Sequence, residues 1–226
     1  MKIKVNGNEV EVTGQHVLIE ELRERGVQIP SLCYASEAEH QASCMVCMVK
    51  DVRNGQMIPS CSTFPQEGME IETECEEVVA LRRMAIELLL SDHGARCGGC
   101  EGREKCRLRE LSVQMKANWT RYGPMAPVER LRVGELCSGI RLRVGELRSG
   151  IRKEQIHVTG QMYFEPAKCI RCGLCVYNAQ NGFTFMYRGY DMQVVIPEEN
   201  KKNVDEKLAD LCPTGALFVR GLRRDE

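Results

Sequence analysis

Apolar and polar residues alternate from Lys2 to Val12 (KIKVNGNEVEV), with the alternation interrupted at Asn6-Gly7. That pattern predicts two strands joined by a tight hairpin turn. From Val17 to Arg25 the period lengthens, placing Leu18, Ile19 and Leu22 on one face of a short helix that Gly26 ends. The stretch from Pro30 to Cys61 is loop-rich, with Cys44-Met45-Val46-Cys47 leading into an apolar run and an Asn54-Gly55 turn, and Met69 to Thr73 reads as a closing strand. A small β-rich domain ending near residue 76 fits this pattern.

Helical periodicity then runs from Glu76 to Leu90, with Val78, Leu81, Ala85, Leu88 and Leu89 expected on the inner face and Ser91-Asp92-His93-Gly94 at the end. A Gly- and Cys-rich loop follows, then a second helix expected near Glu104 to Lys116. Residues 131–141 (LRVGELCSGIR) and 142–152 (LRVGELRSGIR) are a tandem repeat that differs at Cys137 and Arg148. Two such units are too few for a solenoid, so the repeat reads as a duplication in a solvated connecting segment. Beyond Tyr163 come a Cys-rich loop, two strand-like runs (Phe183 to Tyr187 and Met192 to Ile196) and the ending CPTGAL from Cys212. The expected class is α+β, divided at residues 1–76, 77–130, 131–160 and 161–226.

Composition sharpens this. The net charge of −1 gives no global attraction to nucleic acid or an anionic membrane. The most apolar window, Val78 to Leu90, is interrupted by Arg82, Arg83 and Glu87 and falls short of the roughly 18 apolar residues of a membrane span. MKIKVNGNEV lacks the apolar run of a signal peptide. The expectation is a soluble, cytoplasmic protein. Thirteen cysteines therefore sit where thiols stay reduced, which points to metal or cluster ligands rather than disulfides.

The cysteines fall into three sets. Cys169, Cys172 and Cys175 stand two residues apart on one loop, and the distant Cys212-Pro213 supplies a fourth thiolate. Bacterial ferredoxins place a further cysteine shortly after such a run, which ligates a second cluster; Ala179 stands at that position here, so Cys212 closes a single [4Fe–4S] site. Zinc, which more often takes two separated C-x2-C pairs, is the weaker reading. Cys33, Cys44, Cys47 and Cys61 supply the four thiolates of a [2Fe–2S] cluster, with a longer first gap than the plant-type spacing; buried or zinc-binding cysteines are the alternative. The middle set, His93, Cys97, Cys100 and Cys106, suits either a zinc ion or a histidine-ligated [4Fe–4S] cluster, and the glycines at 94, 98, 99 and 102 leave room for the latter.

The order and spacing of these motifs resemble the N-terminal region of the large iron–sulfur subunit of respiratory complex I. They are also similar to the small diaphorase subunit of NAD-linked [NiFe]-hydrogenases and the matching region of NAD-dependent formate dehydrogenases. The resemblance rests on IPSLCY at 29–34, the Cys44/Cys47/Cys61 set, the His93 set and DLCPTGAL at 210–217. It implies a β-grasp [2Fe–2S] ferredoxin domain, a small helical domain whose [4Fe–4S] cluster is held by His93, Cys97, Cys100 and Cys106, and a ferredoxin-like C-terminal [4Fe–4S] domain. Ser43 and Met45 stand where the family usually has basic or glycine-flanked residues, and the repeat has no family counterpart. The absence of a molybdopterin-type region after Cys212 favours the stand-alone diaphorase or bifurcating-complex form. Eleven cysteines and one histidine are then used, leaving Cys75 and Cys137 without a metal role.

No G-x-G-x-x-G opens a helix after a strand, there is no P-loop, and no nucleophilic triad is visible. The expected role is a subunit that passes single electrons between a flavin- and NAD(P)H-binding subunit and a second redox subunit such as a hydrogenase, formate dehydrogenase or ferredoxin-linked one, with no catalysis of its own. A zinc-stabilised, non-redox interaction module is the competing class.

Overall fold

The computed structural model describes residues 1–35, 39–93, 97, 100, 105–119, 121–122, 155–180, 182–189 and 192–220. The tandem repeat, Cys137 and the glycines at 94, 98, 99 and 102 lie outside the described residues.

β1 (Lys2–Val5) buries Ile3 and Val5 and exposes Lys2 and Lys4, and it pairs antiparallel with β2 (Asn8–Glu11) in the register Ile3↔Val10. The turn works because Asn6 and Gly7 both adopt positive φ (50° and 81°), which side chains other than Asn, Asp and Gly resist. α1 (Leu18–Arg23) buries Leu18, Ile19 and Leu22; Gly26, at φ 81°, turns the chain so that the Val27 N–H donates to the Leu22 carbonyl. A second hairpin, β3 (Met48–Asp51) and β4 (Gln56–Pro59), turns at Asn54-Gly55. β5 (Glu70–Glu72) then inserts between the two hairpins, parallel to β1 and antiparallel to β3, giving the sheet order β2-β1-β5-β3-β4.

α2 (Glu76–His93) runs three residues further than the periodicity suggests, so His93 belongs to its last turn. Its buried side also differs from the expected one. Val78, Arg82, Ile86 and Leu90 face inward on an i, i+4 row, whereas Leu88 is 48% exposed. The reason is polar: the Arg82 guanidinium donates twice to the Met48 carbonyl (3.0 and 2.7 Å), and Glu87 accepts from the Asn118 N–H and Arg121. Both charged side chains are buried because each has partners, which an apolar pattern cannot register. α3 (Arg107–Gln114) packs Leu108 and Leu111 against α2.

The C-terminal part begins with β6 (Ile156–Thr159) and β7 (Met162–Phe164), so the sheet starts inside the stretch expected to be a linker. The short helix α4 (Leu174–Asn178), the hairpin β8 (Thr184–Met186) with β9 (Gln193–Val195), and β10 (Leu217–Val219), which pairs with β7, complete it. No helix among the described residues is long and apolar enough to cross a membrane.

Among the described residues three apolar cores result. One lies under the N-terminal sheet around Ile3, Leu22 and Ile71, and another fills the C-terminal part around Met162, Phe164 and Phe183. The middle core joins Leu32 and Val46 of the first segment to Ile86 and Leu90 of α2, Leu108 and Leu111 of α3, and Ile170 of the third.

Candidate metal centres

The first set of cysteines is gathered tightly. Cys33, Cys44, Cys47 and Cys61 are all buried, and hydrogen bonds link the Cys33 thiol to those of Cys44 and Cys61, and Cys61 to Cys47. The fold puts them there from three places: the loop after α1, the Cys44–Cys47 turn that leads into β3, and the segment just after β4. Met45 adopts the left-handed conformation (φ 58°) between Cys44 and Cys47, and the Cys44 N–H lies 3.4 Å from the Cys33 sulfur. The bonds from Cys44 and Cys61 pull the Cys33 thiol well below its usual range. Cys44 and Cys61 are pushed up in turn by the bonds to Cys33 and by burial. Two of the four thiols are thus drawn down, Cys47 to about 7, and two are pushed up, so the set shares its negative charge unevenly. A cationic group among them would let all four ionise, which is the electrostatic demand that a metal cluster meets.

The third set is also brought together. Cys169, Cys172, Cys175 and Cys212 lie close enough for their charges to act on one another, and burial raises all of the first three thiols, Cys169 to about 12. Arg171, at φ 55°, and Gly173, at φ 83°, bend the loop so that backbone N–H groups aim at sulfur. The Arg171 N–H stands 3.4 Å from the Cys169 sulfur, and the Leu217 N–H 3.4 Å from that of Cys212. Such donors are best used by an ionised, metal-bound sulfur.

In the middle set the structure brings Cys97, Cys100 and Cys106 within reach of each other's charge, and burial raises the Cys97 and Cys106 thiols. The charged groups that act on His93 are Asp92, Lys168 and Glu165, and desolvation lowers its pKa. Its Nδ1 is buried without a hydrogen-bond partner among the described residues. A buried imidazole held neutral with an unused nitrogen is chemically ready to ligate a metal. Among the described residues no three Cys, His, Asp or Glu side chains close on one point as a mononuclear ion requires.

The three sets also meet. Cys33 and Cys44 of the first, Cys106 of the second, and Cys172 of the third all border the middle core, and the Cys33 charge acts on Cys172. Asn178 of α4 accepts from the Glu39 N–H (3.1 Å) and donates to the Glu39 carbonyl (2.8 Å), tying the third set to the loop of the first. The Arg107 N–H donates to the Pro213 carbonyl (2.7 Å), and Arg171 pairs with Asp92, tying the third set to the second. None of these bridges is visible in the motif spacing. The one signal for them is Asp92 itself, an acid in the last turn of a helix, where the dipole favours a cation.

Comparison with known proteins agrees with this arrangement. Residues 1–76 match the family model of the 2Fe-2S iron–sulfur cluster binding domain, and residues 82–121 match the NADH-ubiquinone oxidoreductase-G iron–sulfur binding region. A 2Fe-2S domain and a 4Fe-4S binding region are therefore present. Over its whole length the chain is 23% identical to the NAD-reducing hydrogenase HoxS subunit gamma of Cupriavidus necator, spanning 90% of that protein. Over 96% of its length it is 27% identical to the mitochondrial NADH-ubiquinone oxidoreductase 78 kDa subunit of Candida albicans, but spans 28% of that subunit. In structure it superposes, at TM-score 0.77 and 21% identity, on a chain of the NAD+-reducing [NiFe]-hydrogenase in the H2-reduced state, covering 98% of itself and 88% of that chain. The resemblance drawn from the motifs thus stands: its homologues are iron–sulfur subunits of NADH-linked complexes.

Proposed function

We propose that this chain is the iron–sulfur relay subunit of an NAD(P)-linked oxidoreductase complex of the reducing cytoplasm. It passes single electrons between a flavin- and NAD(P)H-binding subunit and a second redox subunit of the hydrogenase, formate dehydrogenase or ferredoxin-linked kind. The observation that carries the reading is the middle core, which borders ligands of all three sets at once. A zinc-stabilised scaffold has no need to bring three metal sites to one dry core; a relay does.

The N-terminal sheet, with its central parallel pair and packed helix, reads as a β-grasp domain over residues 1–76. Cys33, Cys44, Cys47 and Cys61 there hold a [2Fe–2S] cluster. His93, Cys97, Cys100 and Cys106, in residues 77–130, hold one [4Fe–4S] cluster with one histidine ligand. Cys169, Cys172, Cys175 and Cys212, in the ferredoxin-like part from residue 161, hold another, and residues 131–160 connect the two. When bound, these clusters supply reversible one-electron chemistry. The chain's own residues supply position and field: N–H donors on the sulfurs, apolar side chains that exclude water, and charges between the sites. The Cys33 charge acts on Cys172 and the Lys168 charge acts on His93, so the third set borders both of the others.

Anaerobically purified protein should carry about ten irons per chain with matching sulfide. NADH alone should leave its visible spectrum oxidised, dithionite should bleach it, and addition of the flavoprotein subunit should let NADH do so. Stoichiometric zinc with little iron would end this reading, and so would bleaching by NADH in the flavin-free chain.

A further inference from the structure

Two side chains that the cluster assignments leave unused meet between the second and third sets. Asp92 lies in the last turn of α2, one residue before His93, where the helix dipole disfavours an anion. Arg171 lies between Cys169 and Cys172 in the left-handed conformation (φ 55°), which residues other than glycine, asparagine and aspartate resist. Each position is locally unfavourable, and the two side chains pair with each other.

The pair is not a loose surface contact. Arg171 and Asp92 are 24% and 17% exposed, and solvent screens such charges less than it does free surface ones. Both charges act on the Cys169 sulfur, and Asp92 also acts on His93. A backbone bridge, from the Arg107 N–H to the Pro213 carbonyl, holds the same two regions together elsewhere, so the side-chain pair adds charge where simple attachment already exists.

We propose that the Arg171–Asp92 ion pair is a positioning and field-setting element between the two [4Fe–4S] sites: it docks the His93 end of α2 on the Cys169–Cys172 loop, and its two charges act in opposite senses on the reduction of the sites they face. The negative charge acts on His93 as well as on Cys169, and it opposes reduction of the His93 site. The positive charge lies within the loop of the third site and favours reduction there. The inference rests on the cluster assignments of the preceding section.

Redox titration followed by EPR on the intact, iron-loaded protein tests it. Asp92→Asn should shift the His93-site midpoint upward, and Arg171→Gln should shift the midpoint of the third site downward. Each shift should be about tenfold in the reduction equilibrium, ~59 mV for one electron. Arg171→Lys, which keeps the charge and loses the planar fork, should leave the third midpoint near that of the unaltered protein, so a fall there as large as in Arg171→Gln would overturn the inference, and Asp92→Asn carries the test if Arg171→Gln fails to fold. Intact clusters with unmoved midpoints, or shifts in the same direction for both neutralising variants, would overturn the inference while leaving the relay reading in place. Absence of any four-iron signal in the unaltered protein would remove both.

Discussion

The first and middle sets of candidate ligands are assembled in different ways. The first is built by a sheet: its cysteines come from loops pinned by a packed helix and two hairpins, are all buried, and are already bonded to one another. The middle set hangs from the end of one helix and the start of another, its Cys97 and Cys100 are only partly buried, and the charges acting on His93 come from its neighbour Asp92 and from Lys168 and Glu165 beside the third set. The contrast teaches that a cage can be formed by the fold before its cluster arrives, or by the cluster itself. In the first case apolar burial supplies the organising energy; in the second the metal–ligand bonds supply it.

The largest test of that contrast is removal of iron with a chelator, followed by amide exchange. The amides of Val49 and Ile71, in a sheet with its own core, should stay protected, while those of α3 and the His93 turn should lose protection. Parallel loss in both regions would break the comparison and make the N-terminal cage as dependent on its cluster as the middle one.

A smaller effect comes from Glu21, which is fully buried in α1. Burial works against its charge, but the Thr13 hydroxyl and the N–H groups of Thr13, Gly14 and His16 donate to it and hold its pKa down to about 2, from 4.5. Because the folded value is depressed, the stabilisation is present in full above about pH 4.5 and is lost as pH falls toward 2. Solvent beyond the exposed Thr13 limits it to about 2 kcal/mol. Urea unfolding of the metal-free protein should show that loss, and Glu21→Gln should flatten it. An unchanged pH profile in the variant would mean that another group governs the N-terminal domain.

The smallest effect sharpens the local geometry. Met45 is 44% exposed at φ 58°, so little packing offsets its backbone strain. Met45→Gly should stabilise the metal-free N-terminal domain by about 0.5–1 kcal/mol, measured by its urea midpoint. A lower midpoint would show that the thioether contributes packing that outweighs the strain.

The elements legible in the sequence were those whose signal is local. Asn6-Gly7 and Asn54-Gly55 mark both N-terminal hairpins, Gly26 ends α1, and the cysteine spacing alone divides the candidate ligands into three groups, of which the fold gathers the cysteines of each. What escaped was set by partners distant in the chain. The inner face of α2 turns on Arg82 reaching the Met48 carbonyl, and its length on a terminal acid held by Arg171 seventy-odd positions away. The β6–β7 hairpin, which turns at Gly160, was hidden by its position directly after the repeat. How the three sets stand relative to one another follows from Asn178, Arg107 and Asp92, none of which belongs to a motif.

The buried Arg82 carries one more consequence. Sequence divides the chain at residue 76, yet α2 beyond that point covers Leu32 and Val46 and satisfies the Met48 carbonyl beside the first cage. A ferredoxin cut out at residue 76 would expose an apolar flank and leave a backbone acceptor to water, whereas one that kept α2 would close over both. A piece meant to keep that flank covered therefore has to extend past its first cofactor domain to include α2.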